Sequence, residues 1–445
     1  MSSIPDDIFK DVPNRVISPV TMNEANEPII IYTGEFKIKN DSKEYELDGK
    51  IIFKWFPDMG VKFNGVFINT QSINIQLMDA FDVVIDNKIT GKVKIMDFDF
   101  TGEPICGGDG VNFIWGDSTV PVNEVSFAIP NLRDYLGDAV KDENKSGLNF
   151  QKTRITLDDK PYKIVIDKLI DYNERRQKLE NDGGYLLLYA GRITKNKGSI
   201  SLGELQKWHD RFHHFLYFLN GRRTAPLFYT GIHESSPIWT DYSDYRVDLD
   251  KYIISWSDIF FLDDLPHLWK RYNELWKKDL DKDFLISAIH WYVEANSNAG
   301  MVEGSIILIQ TALELLYNWL IIENQKIISG GDAESLSAAN KIRLLIFQLK
   351  ISPSVPQAFA ELAKMPDVID GPEAFVSIRN ALVHGQAGKR ERLMKISLMA
   401  KYEALQLGIW YVELTLLFIL EYKGKYNNRT NGQRWRDTGE RVPWA

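Results

Sequence analysis

The sequence predicts an α+β multidomain chain, with a β-rich, antiparallel sandwich or barrel-like front half and an all-α helical bundle behind it. Three observations carry this expectation. At 445 residues the chain is longer than one hydrophobic core usually organises, so two or three folding units are the starting point. Its first 200 residues are short runs rich in β-branched and aromatic residues, cut by turn formers. The hydrophobic period then changes at Ser201, and from Leu265 to Tyr422 nearly every segment repeats at helical spacing.

Strands are expected at Ile29–Tyr32, Tyr45–Trp55, Val61–Phe67, Ser72–Leu77, Lys88–Met96, Val125–Ile129, Lys160–Leu169 and Gly184–Ile193. Pairs such as Asn40-Asp41, Pro57-Asp58 and Asp86-Asn87 break the chain between them. Apolar and polar residues alternate strictly in Ser72–Leu77, the mark of a half-buried strand, whereas Ile164-Val165-Ile166 is continuous and suits burial on both faces. Ser201 and Glu204 have the spacing of a capping box. The helix they open puts Leu205, Trp208, Phe212, Phe215, Leu216 and Leu219 on one side. Strand-like residues return at Leu227–Tyr229 and Tyr245–Leu249, as a hairpin extending the first domain. Helices follow at Leu265–Lys277, Asp283–Asn296, Met301–Asn324, Ala338–Lys350, Pro356–Lys364, Pro372–His384 and Lys389–Tyr422. The domains are therefore read as 1–200, a β-rich sensing or docking domain; 201–264, a connecting helix and hairpin; 265–425, the bundle; and 426–445, a basic and aromatic tail.

Composition narrows the function. A formal charge of −8 supplies no global basic field, so RNA or DNA would have to be held by local patches. The single cysteine, Cys106, excludes a disulfide framework and a multi-thiolate site, and fits a reducing compartment. The first ten residues carry no apolar run and do not read as a signal peptide. Gly304–Ile322 is interrupted by Gln310, Glu314 and Asn318, and Leu407–Leu420 is short and contains Glu413, so neither reads as a bilayer span. The expectation is a cytoplasmic protein with no membrane partner.

The chemically informative stretch is Asp370–Gly385. Pro372 suits the first turn of a helix and Gly385 the position just past its end, which places His384 in the last turn. There the helix dipole favours the imidazolium. Asn380 and His384, four apart, share a face, and the long Arg379 side chain can swing towards them. A cation, an amide and a titratable base at one helix end suit phosphodiester cleavage without a metal or other cofactor. The histidine would move a proton at the 2′-hydroxyl or the leaving oxygen, and the guanidinium would stabilise charge on the phosphoryl oxygens. One histidine cannot easily be acid and base in the same step; a symmetric dimer with two motifs in one cleft would solve this. With 19 arginines and 7 histidines, an Arg–His pair at one spacing arises by chance about 0.3 times in such a chain. The asparagine and the helical setting are what give the match weight.

Arg379-Asn380-x-x-x-His384 resembles the R-N-x-x-x-H form of the signature of HEPN domains, the higher-eukaryote and prokaryote nucleotide-binding helical bundles. Ser287–Ala295 and Ala312–Leu316 are similar to the first helices of the Apea-like HEPN branch, in which such a bundle follows a β-rich domain. The resemblance implies a homodimeric, metal-independent endoribonuclease of antiphage abortive-infection or toxin type that cleaves RNA by 2′-hydroxyl attack. It makes His384 and Arg379 catalytic with Asn380 in support, and matches Glu314 to the acidic position that pairs with the motif arginine; Glu303 lies on the same helix. The β-rich domain is then the candidate regulator, reading a phage-derived or cellular trigger. Two other readings stay open: a noncatalytic HEPN module that binds a nucleotide or protein partner, and a helix-terminal His and Arg that merely satisfy the last carbonyls.

Other features rank lower. His209 and His213 have helical zinc spacing, but Asp210 stands where a zinc protease needs glutamate and no third ligand follows, so an amphipathic helix is the better account. Cys106-Gly107-Gly108-Asp109-Gly110 lacks the lysine of a phosphate loop and reads as a turn, and Cys106 has no basic neighbour to activate it. Lys389, Arg390 and Arg392 directly follow the motif and are the expected RNA contacts; the tail, with Tyr426, Trp435 and Trp444 among its cations, is a second candidate.

Overall fold

The computed structural model describes residues 11–69, 73–144, 147–259, 264–297, 301–366, 368–383, 387–431 and 439–445; the side chains at 142–144, 147–149, 159, 389, 390 and 392 are not part of that description. Two compact units emerge. One comprises Met1–Leu132, Leu136–Asp210 and Thr224–Lys251; the other comprises Arg133–Tyr135, Arg211–Arg223 and Tyr252–Ala445. The front half is β-rich and the back half helical.

The first unit starts with six antiparallel strands, β1 (Ile29–Lys39), β2 (Glu44–Lys54), β3 (Gly60–Phe67), β4 (Ala80–Ile85), β5 (Lys88–Asp99) and β6 (Ile105–Val111). They close into a barrel of order β1-β2-β3-β6-β5-β4, with Ile38 of β1 opposite Val83 of β4 at the closure. Alternate side chains fill the interior: Phe36, Ile38, Leu47, Ile51, Phe53, Phe63, Val83, Val93 and Ile95 are all buried. A barrel this small holds a packed core rather than a channel.

Two local expectations change here. Cys106–Gly110 is not a turn but most of strand β6. Its glycines are there for close approach, because a Cβ on Gly108 would sit 1.9 Å from the Lys94 carbonyl oxygen and one on Gly110 2.6 Å from the Val61 side chain. Conversely, residues 73–77 of the alternating Ser72–Leu77 run form no strand. Ile75 is buried, but the backbone of Asn74 is held at both its N–H and its carbonyl by the Tyr45 hydroxyl, and Met78 takes a left-handed conformation. Side-chain anchors there replace a ladder.

An eight-stranded antiparallel sheet follows, made of β7 (Ile114–Gly116), β8 (Glu124–Pro130), β9 (Asp138–Asn144), β10 (Gly147–Asp159), β11 (Tyr162–Lys168), β12 (Leu187–Lys195), β13 (Leu227–His233) and β14 (Ser236–Asp241). Its order is β7-β14-β13-β8-β12-β11-β10-β9. The expected hairpin is β13–β14, so Tyr245–Leu249 contributes no strand to it. Helix α1 (Tyr172–Asp182) packs on β12, with Tyr172 edge-on to Tyr189. Upstream, Val16 donates its N–H to Asp167, whose carboxylate is gripped by Arg154 at 2.9 and 2.6 Å. Helix α2 (Leu202–Asn220) starts as the capping signal predicts, with Ser201 Oγ accepting from the Glu204 N–H, although the Glu204 carboxylate turns to Lys195 and Tyr162.

The second unit contains α3 (Leu265–Trp276), α4 (Asp279–Asn296), α5 (Met301–Tyr317), which widens into a π-helix over Asn318–Asn324, α6 (Gly330–Ser335), α7 (Ala338–Gln348), α8 (Ala360–Ala363), α9 (Gly371–Val383), α10 (Ala387–Met394) and α11 (Leu398–Ile419). Of the expected helix Pro356–Lys364 only α8 forms. The long helix expected from Lys389 to Tyr422 is two helices, because the Ser397 hydroxyl accepts the Ala400 N–H and starts α11 afresh. Helix α11 is the axis of the unit, buried on all sides from Glu403 to Leu417, with α4, α5, α8 and α9 against it. Met301–Asn324 and Leu398–Ile419 are long and apolar enough to cross a membrane, but their apolar stretches are 61 % and 89 % buried inside the unit.

The tail is an internal brace. A short hairpin joins β15 (Lys425–Tyr426) to β16 (Glu440–Arg441), Tyr426 is buried, and Arg429 lies in the core on Glu413. Trp435, expected as an RNA contact, lies outside the described residues.

Candidate functional site

The motif helix α9 is set by charges at its start. Asp370 accepts the Glu373 N–H at 2.9 Å and caps the first turn. Arg343 of α7 grips the same carboxylate with two bonds of 2.7 and 2.9 Å and reaches Glu373 at 3.3 Å. These bonds push the Arg343 guanidinium further above its ordinary range. Further along, Phe375 and Ile378 are buried and Leu382 is half-buried. A Cβ on Gly408 would stand 2.6 Å from the Phe375 ring, so α9 and α11 approach closely only because that position lacks a side chain.

At the far end of α9, Arg379 and Asn380 are both half-buried, and Arg379 Nη1 donates to Asn380 Oδ1 at 3.1 Å. Arg379 Nε is buried without a hydrogen-bond partner. His384 lies outside the described residues. Helix α10, which carries Lys389, Arg390 and Arg392, packs beside α9, although the side chains of these three also lie outside the description.

Glu314 is placed differently from what the resemblance implies. Its carboxylate is bonded by Lys341 of α7 and accepts from Gln310 at 3.3 Å, whereas Arg379 bonds Asn380. Glu303, the alternative acid, bonds Lys401 of α11 at 3.1 Å, which holds its carboxyl below the usual range. Both candidate acids of α5 are thus neutralised by lysines that sequence spacing did not single out. Asp370-Gly-Pro-Glu373 is itself a helix-start signal that could have pointed to the Arg343 network.

The other candidates have structural partners. His209 is buried, with Nδ1 2.7 Å from the Tyr229 hydroxyl and its ring against Tyr245. Among the described residues no group of three His, Cys, Asp or Glu side chains is placed to hold a metal ion. Cys106 is buried, and burial, with Asp97 beside it, pushes its thiol up to about 12.

Both parts of the chain resemble YopA domains. Residues 278–441 match the family model described as the YopA C-terminal domain, and residues 117–253 match the YopA central domain. The first of these lies within the helical unit and the second covers strands β8 to β14 of the eight-stranded sheet; β7 and the barrel lie outside both. Over 435 residues the chain is 27 % identical to the SPbeta prophage-derived uncharacterized protein YopA of Bacillus subtilis (strain 168), covering 95 % of this chain and 96 % of the relative. No solved structure matches.

Proposed function

We propose that the helical unit is a metal-independent HEPN endoribonuclease that works as a homodimer. It cleaves RNA by 2′-hydroxyl attack and leaves a cyclic phosphate. Arg379 is the observation that carries the reading. Asn380 holds one arm of its guanidinium, while a buried Nε–H lacks an acceptor, a cost that a phosphoryl oxygen would relieve. His384, four residues after Asn380 in the sequence, is the proton-transfer group, Asn380 supports both, and the basic stretch on α10 holds the RNA backbone. Glu314, bonded by Lys341, takes no direct part in this site. Val383 within the motif, and Met394, Leu398 and Met399 after it in the chain, are 44, 86, 68 and 54 % exposed, and a second copy would cover them.

In this reading the enzyme acts in antiphage abortive infection from the cytoplasm, and the β-rich unit restrains it until a phage-derived or cellular trigger binds. A prophage-derived relative supports the phage setting. One observation favours a second reading, a noncatalytic module that binds a nucleotide or protein partner: the Glu314 carboxylate is committed to Lys341. The deciding experiment incubates purified wild type and His384→Ala with total cellular RNA in excess EDTA. Fragments from wild type alone support the nuclease. Equal cleavage by both refutes the catalytic assignment, and RNA or nucleotide binding without cleavage supports the module.

A further inference from the structure

One end of the barrel carries apolar side chains that its own core does not use. Phe98 and Phe100 stand where β5 runs out, Ile105 opens β6, and Ile68 directly follows β3. The register ties these strand ends together, since Ile105 lies opposite Asp99 on one side and Val66 on the other. Backbone bonds bring the connecting segments to the same end: Ile68 N–H donates to the Glu46 carbonyl at 3.0 Å, and Met78 N–H to that of Ile95, next to Met96, at 2.8 Å. Ile68, Met78, Met96, Phe98, Phe100 and Ile105 are 38–58 % exposed. At roughly 200 Å² for each fully exposed side chain, they leave about 550 Å² of apolar surface open, close to the largest patch a free monomer usually carries.

The rings are ordered before anything binds. Phe98 and Phe100 lie 5.3 Å apart, and Phe100 leans at 6.1 Å on the buried Phe67, which stands edge-on to Tyr45 at 5.7 Å. The turn after β5 is fixed by Asp99, which accepts from the Thr101 N–H and hydroxyl at 2.8 and 2.7 Å. Side chains already held in place lose little entropy on association.

The charge around this end has one sign. Residues 95–108 contain Asp97, Asp99 and Glu103 and no lysine or arginine, and residues 64–79 contain no lysine or arginine either. The three carboxylates are exposed and, among the described residues, form no ion pair, whereas Asp79 is matched by Lys43 at 3.2 Å. The next cations along the strands, Lys62 and Lys94, both face Asp109 in the register, farther from the end. An acidic rim repels the phosphates of nucleic acid and of anionic lipid, and attracts a cationic protein segment.

The barrel is closed, so β3, β5 and β6 each have a neighbour on both sides and no free edge for an added strand. Whatever covers the patch must therefore be read by its side chains. We propose that this end of the barrel docks a protein segment whose apolar anchors are flanked by lysine or arginine. The surface belongs to the first unit and needs no ribonuclease activity in the second.

Fluorescence anisotropy with the full-length chain tests this, using a labelled helical peptide of leucine and lysine and a counterpart with glutamate in place of lysine. The lysine peptide should bind about tenfold or more tighter than the glutamate one. Phe98→Ser/Phe100→Ser should weaken it about tenfold or more, the loss of two aromatic anchors, with unchanged far-UV dichroism showing that the variant folds. Asp97→Asn/Asp99→Asn/Glu103→Gln, which alters only exposed side chains, should cut the preference for lysine to below about threefold. Removing three exposed carboxylates elsewhere, by Glu323→Gln/Asp332→Asn/Glu334→Gln, makes the same change in net charge and should leave the preference intact. The proposal is overturned by a lysine-peptide Kd weaker than about 1 mM, by unchanged affinity in the folded phenylalanine variant, or by equal losses in the two carboxylate variants. It is also overturned if a labelled uridine oligonucleotide binds through Phe98 and Phe100, which would make this end a nucleic-acid surface.

Discussion

Replacing Arg429 with methionine strips two bonds, of 2.8 and 2.5 Å, from Glu413, a carboxylate with no exposed surface. Trp256 N–H at 3.1 Å and the Tyr292 hydroxyl at 2.8 Å continue to donate to it, but its counter-charge is gone. Two charge-assisted bonds at about 1.5–3 kcal/mol each give a loss of about 3–6 kcal/mol, in line with about 3–5 kcal/mol for breaking a buried pair from one side. Gln406 and Asn296 also lose the donors that Arg429 gives them. Pairing the change with Glu413→Gln removes the stranded charge and keeps an acceptor for Trp256 and Tyr292, so the double variant should lose only about 2 kcal/mol. Urea unfolding of the full chain, followed by helical far-UV dichroism, measures all three proteins, with the helical transition fitted separately because two units need not melt together. A single variant within about 1 kcal/mol of wild type, or a double variant no better than the single, would refute the account of a buried pair bracing the tail.

Four further outcomes are expected. Arg343→Ala should cost about 1 kcal/mol by freeing the Asp370 cap and, under the proposed ribonuclease reading, should lower RNA cleavage more than RNA binding, with partial rescue by lysine; equal effects on both would remove its positioning role. Glu303, held below the ordinary carboxylate value by Lys401, contributes stability that is present above that value and lost as pH falls through its lower folded one. Lys401→Met should flatten this acid limb and raise the Glu303 pKa measured by NMR. Cys106, with its thiol pushed up to about 12, should resist thiol reagents at neutral pH and react fully in denaturant. Gly108→Ala should destabilise the barrel by about 1–3 kcal/mol or more, since the added carbon overlaps the Lys94 carbonyl; an unchanged urea midpoint would contradict that packing.

Strands and helices whose apolar period reports their own burial were legible in the sequence. The barrel strands β2, β3 and β5, the sheet strands β8, β11 and β12, and the helices α2, α5, α7 and α9 all follow their pattern. Strand β6 escaped because its glycines answer to neighbouring strands, and β9 and β10 because polar residues dominate them. Helix α1 escaped through its weak apolar face, Tyr172-Asn-Glu-Arg-Arg-Gln-Lys-Leu179. The break before α11 hinged on one serine hydroxyl. At the candidate site the motif helix and the Arg379–Asn380 neighbourhood could be read locally. Partners from other helices could not, since Lys341, Arg343 and Lys401 gain their meaning only when α7 and α11 pack.

The two β assemblies of the first unit end in opposite ways, one closed on itself and the other open. Among the described residues the barrel has no unpaired strand to offer a foreign chain. In the open sheet, one border strand is the three-residue β7 and the other is β9, Asp138-Ala-Val-Lys-Asp-Glu-Asn144, rich in charge. A bridge from Asn14 to Lys141 and a bond from the Lys141 N–H to the Pro13 carbonyl cover part of that second border. Short, charged and partly capped margins are what keep a β protein from templating its own aggregation at high concentration. A partner meeting this unit therefore has little backbone to pair with and must be recognised by side chains and loops.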